Sequence, residues 1–239
     1  MVVIVGAGYS GLICARNLID FGYSVRLFDF RKTGGELAIF SKIPELKEHY
    51  ESFVDEMKSV LGDLNVEKGC VISTDPLRIL TPKGVEIVDD KAIIATGAVD
   101  RNPWVYGKRP AGIFSPETAI KLISEGYKIG NSFLIAGDGE VLELLATHLS
   151  KNHKVERVKS TEVYVHGNKR VEKVEVEGEE FKCDTLILFR GRKTFNPKNL
   201  LGDLVGNAVV CSYDYSLVRK NVREFIKKFT ASSNLFSRV

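Results

Sequence analysis

The chain has 239 residues, enough for one large domain or two small ones. Hydrophobic residues make up 44% and charged residues 27%, an ordinary soluble composition, and a net charge of +3 is too small to indicate nucleic acid. No apolar run approaches the ~18 residues that span a bilayer. The chain opens directly on a strand without a basic leader, so the expectation is a cytoplasmic protein with no transmembrane segment.

In chain order, the first β-α-β unit comprises a strand over 1–5, a helix over 10–21 ended by Gly22, and a strand over 24–28. Leu12, Ile13, Ala15, Leu18 and Ile19 form the helical stripe, and Cys14 joins its apolar side as a small hydrophobe. Leu46, Tyr50, Phe53, Met57 and Val60 recur every three to four residues, which predicts one helix over 44–61 with Pro44 in its first turn. Strands over 77–80 and 85–88 flank the turn Thr81-Pro82-Lys83-Gly84. The continuous apolar run 92–95 predicts a strand buried on both faces. Ser115-Pro116-Glu117 starts a helix, with a capping hydroxyl, a proline and an early acid. A second β-α-β unit follows over 132–136, 140–150 and 154–158, then strands near 163–165, 171–176 and 185–189. A final helix over 217–229 carries Leu217, Val218, Val222, Phe225, Ile226 and Phe229 on one side, and its Lys and Arg residues read as the wet face.

Four cysteines, Cys14, Cys70, Cys183 and Cys211, have no C-x-x-C spacing, which excludes a local redox dithiol and a cysteine zinc knuckle. Free thiols in a reducing compartment are the expectation, with no metal site. His153 and His166 flank a turn and read as solvated; no residue stands out as a general base.

Gly6-Ala7-Gly8-Tyr9-Ser10-Gly11 lies between an apolar strand and an apolar-striped helix. That context turns a short glycine pattern into a dinucleotide-binding fingerprint. Gly6 permits the tight turn, Gly8 lets the backbone approach a pyrophosphate, and Gly11 lets helix and sheet pack closely. The helix N-terminus offers N–H groups and a positive dipole end to phosphates. Asp29 closes the second strand, where an acid holds a ribose.

The motif by itself does not separate FAD from NAD. Gly34-Gly35-Glu36, the Ala95-Thr96-Gly97 end of a buried strand, and a second dinucleotide-type unit together resemble the two-domain FAD/NAD(P) flavoproteins of the disulfide-reductase type. The stretch from Ala95 to Ile123 is similar to the ATGA…R…P…PGVF segment of the FAD-carrying subunits of hydrogen cyanide synthase, heteromeric sarcosine oxidase and dye-linked L-proline dehydrogenase. The resemblance carries over Gly6, Gly8, Gly11, Asp29, Gly35, Thr96 and Gly97, with Tyr9, Ser10, Phe30, Arg31, Glu36, Val71 and Ala95 as accompanying cofactor contacts. It also implies a late Gly-Asp pair whose Asp holds the ribityl chain. Tyr213-Asp214 is in register with that pair, with Tyr213 in the glycine's place; Asp214 reads equally as a helix cap.

In the second unit, Gly137-Asp138-Gly139 is followed by Leu142 at the third glycine, and Lys159 stands where a ribose acid would be. Lys159 suits either the 2′-phosphate of NADP or no ligand at all. After Val158 the chain leads straight to a hairpin near Gly167-Asn168-Lys169, without the 25–30 residues of another helix and strand expected of ~30-residue crossover units. The expectation is an α/β protein. Its Rossmann-like FAD domain would take 1–104 and 206–239, with a reduced second dinucleotide-binding-like domain over 105–205. NAD or NADP binding there is doubtful. What the resemblance implies is an FAD-dependent oxidoreductase subunit with a partner subunit and a small-molecule or protein electron donor. Two other readings stand beside it: a non-catalytic flavin- or nucleotide-binding module, and an enzyme that uses NAD(P)H directly, as a flavin reductase or a plain dehydrogenase.

Overall fold

The computed structural model describes residues 1–236, and the chain forms two compact units. One is built from Met1–Ala38, Ser52–Val99 and the chain from Lys193 onward; the other from Ile39–Glu51 and Asp100–Arg192. These bounds differ from the expected 105–205 insert at both ends. Residues 39–51 belong with the second unit because the helix Pro44–His49 packs on the helix Glu140–Ser150. Residues 193–205 belong with the first because Asp203–Leu204 pairs with its sheet.

The first unit centres on a five-stranded parallel sheet in the order Asp203–Leu204, Lys91–Ile94, Val2–Val5, Val25–Asp29, Val66–Lys68. Its central strand, Val2–Val5, is an unbroken, fully buried apolar run because both faces are covered. Helix Tyr9–Asp20 covers one face with Leu12, Cys14 and Leu18 fully buried, and helix Tyr215–Phe236 packs on that helix through Val218, Val222 and Ile226. On the other face a three-stranded antiparallel sheet, Cys70–Thr74, Leu77–Thr81 and Gly84–Val88, sends Val71, Leu77, Ile79 and Val88 into a core shared with Val3, Val5, Phe28 and Ile94. Each such side chain contributes about 1.5–3 kcal/mol by leaving water.

The second unit holds a four-stranded parallel sheet in the order Ile113–Phe114, Thr185–Leu188, Ser132–Ala136, Lys154–Val158. Lys154–Val158 is its edge, and no helix separates that strand from Val163–His166. A second sheet, Glu179–Lys182, Lys173–Val176, Val163–His166 and Tyr106–Gly107, faces it across Leu134, Leu186, Leu188, Val165 and Val174. Helix Pro116–Ser124 starts at Ser115, whose Oγ accepts the Thr118 N–H at 3.3 Å.

The expected single helix over 44–61 is two, Pro44–His49 and Glu51–Asp63. Tyr50 breaks it at φ −98° and ψ 13°, with its ring buried against Phe40 at 5.0 Å and His49 at 4.5 Å. Burial of an aromatic ring outweighs one continued turn of helix, and no glycine or proline marks the place. Helix Gly35–Phe40 and strands Cys70–Thr74 and Glu179–Lys182 also went unexpected.

Two polar clusters lock the second unit. Asp100 and Arg192 form an ion pair at 3.4 Å with side chains 2% and 1% exposed. Asp100 also exchanges hydrogen bonds with Glu117, each carboxylate accepting the other's backbone N–H at 2.8–2.9 Å. Removing one partner leaves a buried charge, so Arg192→Met should cost about 3–5 kcal/mol. Urea titration followed by circular dichroism reads this; a loss under 1 kcal/mol by the same scale would mean that Asp100 is already satisfied without the guanidinium.

Glu45 is the second cluster, joined to Lys151 and, at 2.8 Å, to His148 Nδ1. Burial pulls its carboxyl upward, but hydrogen bonds from Lys151, its own backbone and His148 outweigh that and lower it to about 2. A depressed carboxyl pKa gives stability that is present above the ordinary value and lost as pH falls toward the folded one. Acid unfolding between about pH 4.5 and 2 should therefore flatten in Glu45→Gln. An unchanged acid limb would remove Glu45 from that role.

Candidate functional site: the glycine turn of the first unit

The strand Val2–Val5 ends at Gly6, and helix Tyr9–Asp20 begins with Gly8 as its N-cap. Each glycine meets a different constraint. Gly6 has φ +107°, and a Cβ there would stand 2.6 Å from the Ala95 carbonyl oxygen. A Cβ on Gly11 would stand 1.8 Å from the Gly6 oxygen. Gly8 is different: its backbone is extended at φ −78° and ψ −177°, and a Cβ would meet only the Gly35 Cα at 3.8 Å. The fold requires no side chain and forbids none at Gly8, which leaves that space to a ligand.

Around this turn the chain gathers four segments. Asp29 stands at the end of its strand with Oδ2 accepting the Ala7 N–H and Oδ1 the Arg31 N–H, both at 2.7 Å. Gly34 donates to the Ala7 oxygen at 2.8 Å and forms a bridge with Gly8, while Gly35 takes φ +57° beside it. Ala95 continues the strand Lys91–Ile94 by donating to Val5 O at 2.9 Å. After it, Thr96 Oγ1 is buried without a hydrogen-bond partner, and Gly97, at φ +79°, has open space around it. A buried unpaired hydroxyl beside open space is the mark of a group awaiting a ligand. FAD fits this arrangement. The helix N-terminus offers N–H groups to the pyrophosphate, Asp29 has carboxylate lone pairs for a ribose, and Thr96 offers a hydroxyl.

Several predicted contacts serve the fold instead. Tyr9 is buried, its hydroxyl donating to Glu56 Oε2 at 2.6 Å and its ring edge-on to Phe53 and Tyr215. Burial is the largest cause, with Glu56 second, holding its phenol far above the ordinary range. Ser10 is buried too, its Oγ accepting the Asn207 N–H at 3.0 Å. Only the backbone of these two residues is left for a phosphate. Val71 lies in the apolar core, not at the turn. Glu36 accepts the Tyr215 hydroxyl at 3.1 Å. Phe30 is half exposed, and the Arg31 guanidinium lies 5.2 Å over its ring and 4.3 Å over that of Phe195.

Asp214 acts as a helix cap. It is exposed, and its Oδ1 accepts the backbone N–H groups of Ser216 and Leu217 and the Ser216 hydroxyl, as a cap of the last helix does. The pair beside the glycine turn is Gly206-Asn207. It follows Asp203–Leu204, the strand that joins the sheet next to Lys91–Ile94. Gly206, at φ +63°, passes so close to Ser10 that a Cβ would stand 2.2 Å from Ser10 Oγ. The sequence signal was available: a glycine and a polar residue directly after the apolar Leu204-Val205.

All four cysteines are free, and burial pushes Cys14 up to about 12 and Cys183 to about 11. His153 packs edge-on against Phe133 at 5.3 Å, and His166 lies 3.7 Å from Glu175. Among the described residues, no group of three or more His, Cys, Asp or Glu is placed to hold a metal. No helix there is long and apolar enough to cross a membrane.

A family model described as pyridine nucleotide-disulphide oxidoreductase matches residues 1–141. No curated protein sequence matches the chain. Among solved structures, L-proline dehydrogenase from P. horikoshii is similar with a TM-score of 0.64 and 20% identity, over 81% of this chain and 42% of that one. Histamine dehydrogenase from Rhizobium sp. 4-9 gives a TM-score of 0.68 and 15% identity, over 95% and 43%. Thioredoxin reductase from Lactococcus lactis gives 0.63 and 15%, over 93% and 99%. The chain thus spans less than half the length of the two dehydrogenases. Identities this low establish a shared α/β fold.

Proposed function

The chain belongs to the pyridine nucleotide-disulphide oxidoreductase family, an FAD-dependent oxidoreductase family, and from that premise we propose that it is the FAD-carrying subunit of a larger dehydrogenase or oxidase of a small molecule. FAD, when bound, supplies the redox chemistry, taking electrons from a donor and passing them on. The residues of the chain bind and orient it. The N-terminus of helix Tyr9–Asp20 takes the pyrophosphate over Gly8, Asp29 takes a ribose, and Thr96 donates to or accepts from the cofactor. Asn207, beside Ser10, takes the place expected of the late acid, with an amide that brings no charge.

The observation that carries the site is the contrast at the three glycines: two are closed by the fold and Gly8 alone is left open. The subunit reading is supported by the stretch from Ala95 to Ile123, which is similar to the matching segment of such FAD-carrying subunits. A disulfide reductase built on a dithiol is disfavoured, because no cysteines have dithiol spacing and burial suppresses two of the four thiolates. The free thiols suit a reducing cytoplasm.

A second reading, a flavin-binding module without turnover, is favoured by the second unit's sheet ending at Lys154–Val158. Colour decides between them. A yellow protein bleached under anaerobic conditions by a reduced donor supports the oxidoreductase subunit, and a yellow protein inert to every donor supports the module. A colourless chain that binds NADH would overturn both.

A further inference from the structure

We propose that the edge strand Gly84–Val88 of the first unit pairs with the same strand of a second copy of this chain, antiparallel and about a two-fold axis at Glu86. The strand ends its three-stranded sheet and pairs only with Leu77–Thr81. Thr81 and Gly84 face each other across a two-residue turn, so the hydrogen-bonded pairs of that ladder are Thr81–Gly84, Ile79–Glu86 and Leu77–Val88. The backbone groups of Val85 and Ile87 therefore point the other way, to the open edge, and among the described residues they meet no partner. Such an edge invites another strand, and neither a proline nor a bulge interrupts this one.

The side chains favour the same event. Val85 and Ile87 share the outer face of the sheet and are 57% and 65% exposed, and Leu80, opposite Val85 on that face, is 49% exposed. Leu77, Ile79 and Val88 on the inner face fill the core. The alternation that buries one face thus leaves an apolar outer face that the fold does not use.

Register and charge select the occupant. Lys83-Gly84-Val85-Glu86-Ile87-Val88-Asp89 is complementary to its own reverse. Centred on Glu86, an antiparallel copy sets Val85 against Ile87 and Lys83 against Asp89, twice each by symmetry. Both Val85–Ile87 pairs fall at hydrogen-bonding positions, as the open edge groups require. A slip of one residue faces bonding positions with non-bonding ones. A slip of two sets Ile87 against Lys83 or Val85 against Asp89, and loses the apolar and the charge match together. Lys83, Val85, Ile87 and Asp89 are all exposed. The one cost is Glu86 opposite its own copy. Each Glu86 is turned to the Arg26 of its own chain, with Nη1 2.5 Å from Oε1, and that guanidinium, which also holds Glu67, offsets the repulsion.

This pairing depends on neither the flavin nor a different subunit. Sedimentation velocity of the purified chain over a range of concentrations tests it, with hydrogen exchange of residues 82–89 and thermal melts to show that each variant is folded. Expected for the wild type is a monomer–dimer equilibrium, with the Val85 and Ile87 amides protected only where the dimer is populated. Lys83→Asp alone and Asp89→Lys alone should each weaken the dimer about 10-fold, because symmetry sets two like-charged pairs in the contact. Mixed in equal amounts, the two variants should form a heterodimer of wild-type strength, since every reversed charge then meets its opposite. Ile87→Lys should weaken the dimer about 100-fold. A wild type that stays monomeric up to about 100 μM overturns the proposal. So does a dimer that Ile87→Lys leaves intact, or a pair of charge variants that fail to recover each other on mixing. Edge amides protected by a different polypeptide in the complex isolated from source cells would give the strand to that protein instead.

Discussion

Gly8→Val should give a folded protein that holds no flavin. The N-cap backbone at Gly8 is extended, the region that β-branched residues favour, and a Cβ there touches only Gly35 Cα at 3.8 Å. The variant therefore keeps its fold, while the isopropyl group stands where the pyrophosphate must meet the helix N-terminus. Displacing the phosphates from those N–H groups should weaken FAD at least about 100-fold, or ~2.7 kcal/mol. Gly8→Ala should lie between. Gly11→Ala is the contrasting case: its Cβ would stand 1.8 Å from the Gly6 oxygen, so loss of flavin there comes with loss of fold. Flavin absorbance after saturation and gel filtration, set beside a thermal melt, separates the two. A Gly8→Val protein with a normal flavin spectrum would sink the site.

How much of this was legible in the sequence follows from the range of the forces involved. The strand 132–136, helix 140–150 and strand 154–158 stand where the apolar periods put them, because each period reports burial of a local face. The glycine turn was legible for the same reason: strand, turn and helix are contiguous. Asn207 was marked only by the glycine before it and the apolar Leu204-Val205, because its place depends on contact with Ser10, 197 residues away. The strand that delivers it has two residues, one of them Asp203, so no period reveals it; pairing with Ile93 and Ile94 creates it. Asp214 stood out by residue type, and its Oδ1 caps its own helix. Tyr9 and Ser10 followed the motif in position, but their side chains turn inward to Glu56 and Asn207. The motif places the backbone there, and the packing decides the side chains.

NADH and NADPH should reduce the bound flavin at least about 100-fold more slowly than the physiological donor, ~2.7 kcal/mol on the barrier. The second unit has the strand, turn and helix of a nicotinamide site, but its turn is set against phosphate. Asp138 Oδ1 accepts the Gly139 N–H at 3.0 Å, using a donor that a pyrophosphate would need. Glu140 and Glu143 both lie in the first turn of the helix, adding negative charge where the dipole would otherwise attract an anion. Leu142 replaces the third glycine with a fully buried side chain, its Cδ1 3.4 Å from where a Gly137 Cβ would stand. The strand Lys154–Val158 is the sheet's edge, so no further α/β layer walls the far end of a cleft. The opposing reading gives Lys159, which is exposed, to the 2′-phosphate of NADP, with Arg157 beside it. Arg157, however, already lies 3.3 Å from Glu143. Anaerobic stopped-flow with each nucleotide decides. Rapid bleaching by NADPH at micromolar concentration, abolished in Lys159→Glu, would establish a working NADP site and sink this reading. Slow reduction by both nucleotides, unchanged in Lys159→Glu, means that electrons arrive from another donor.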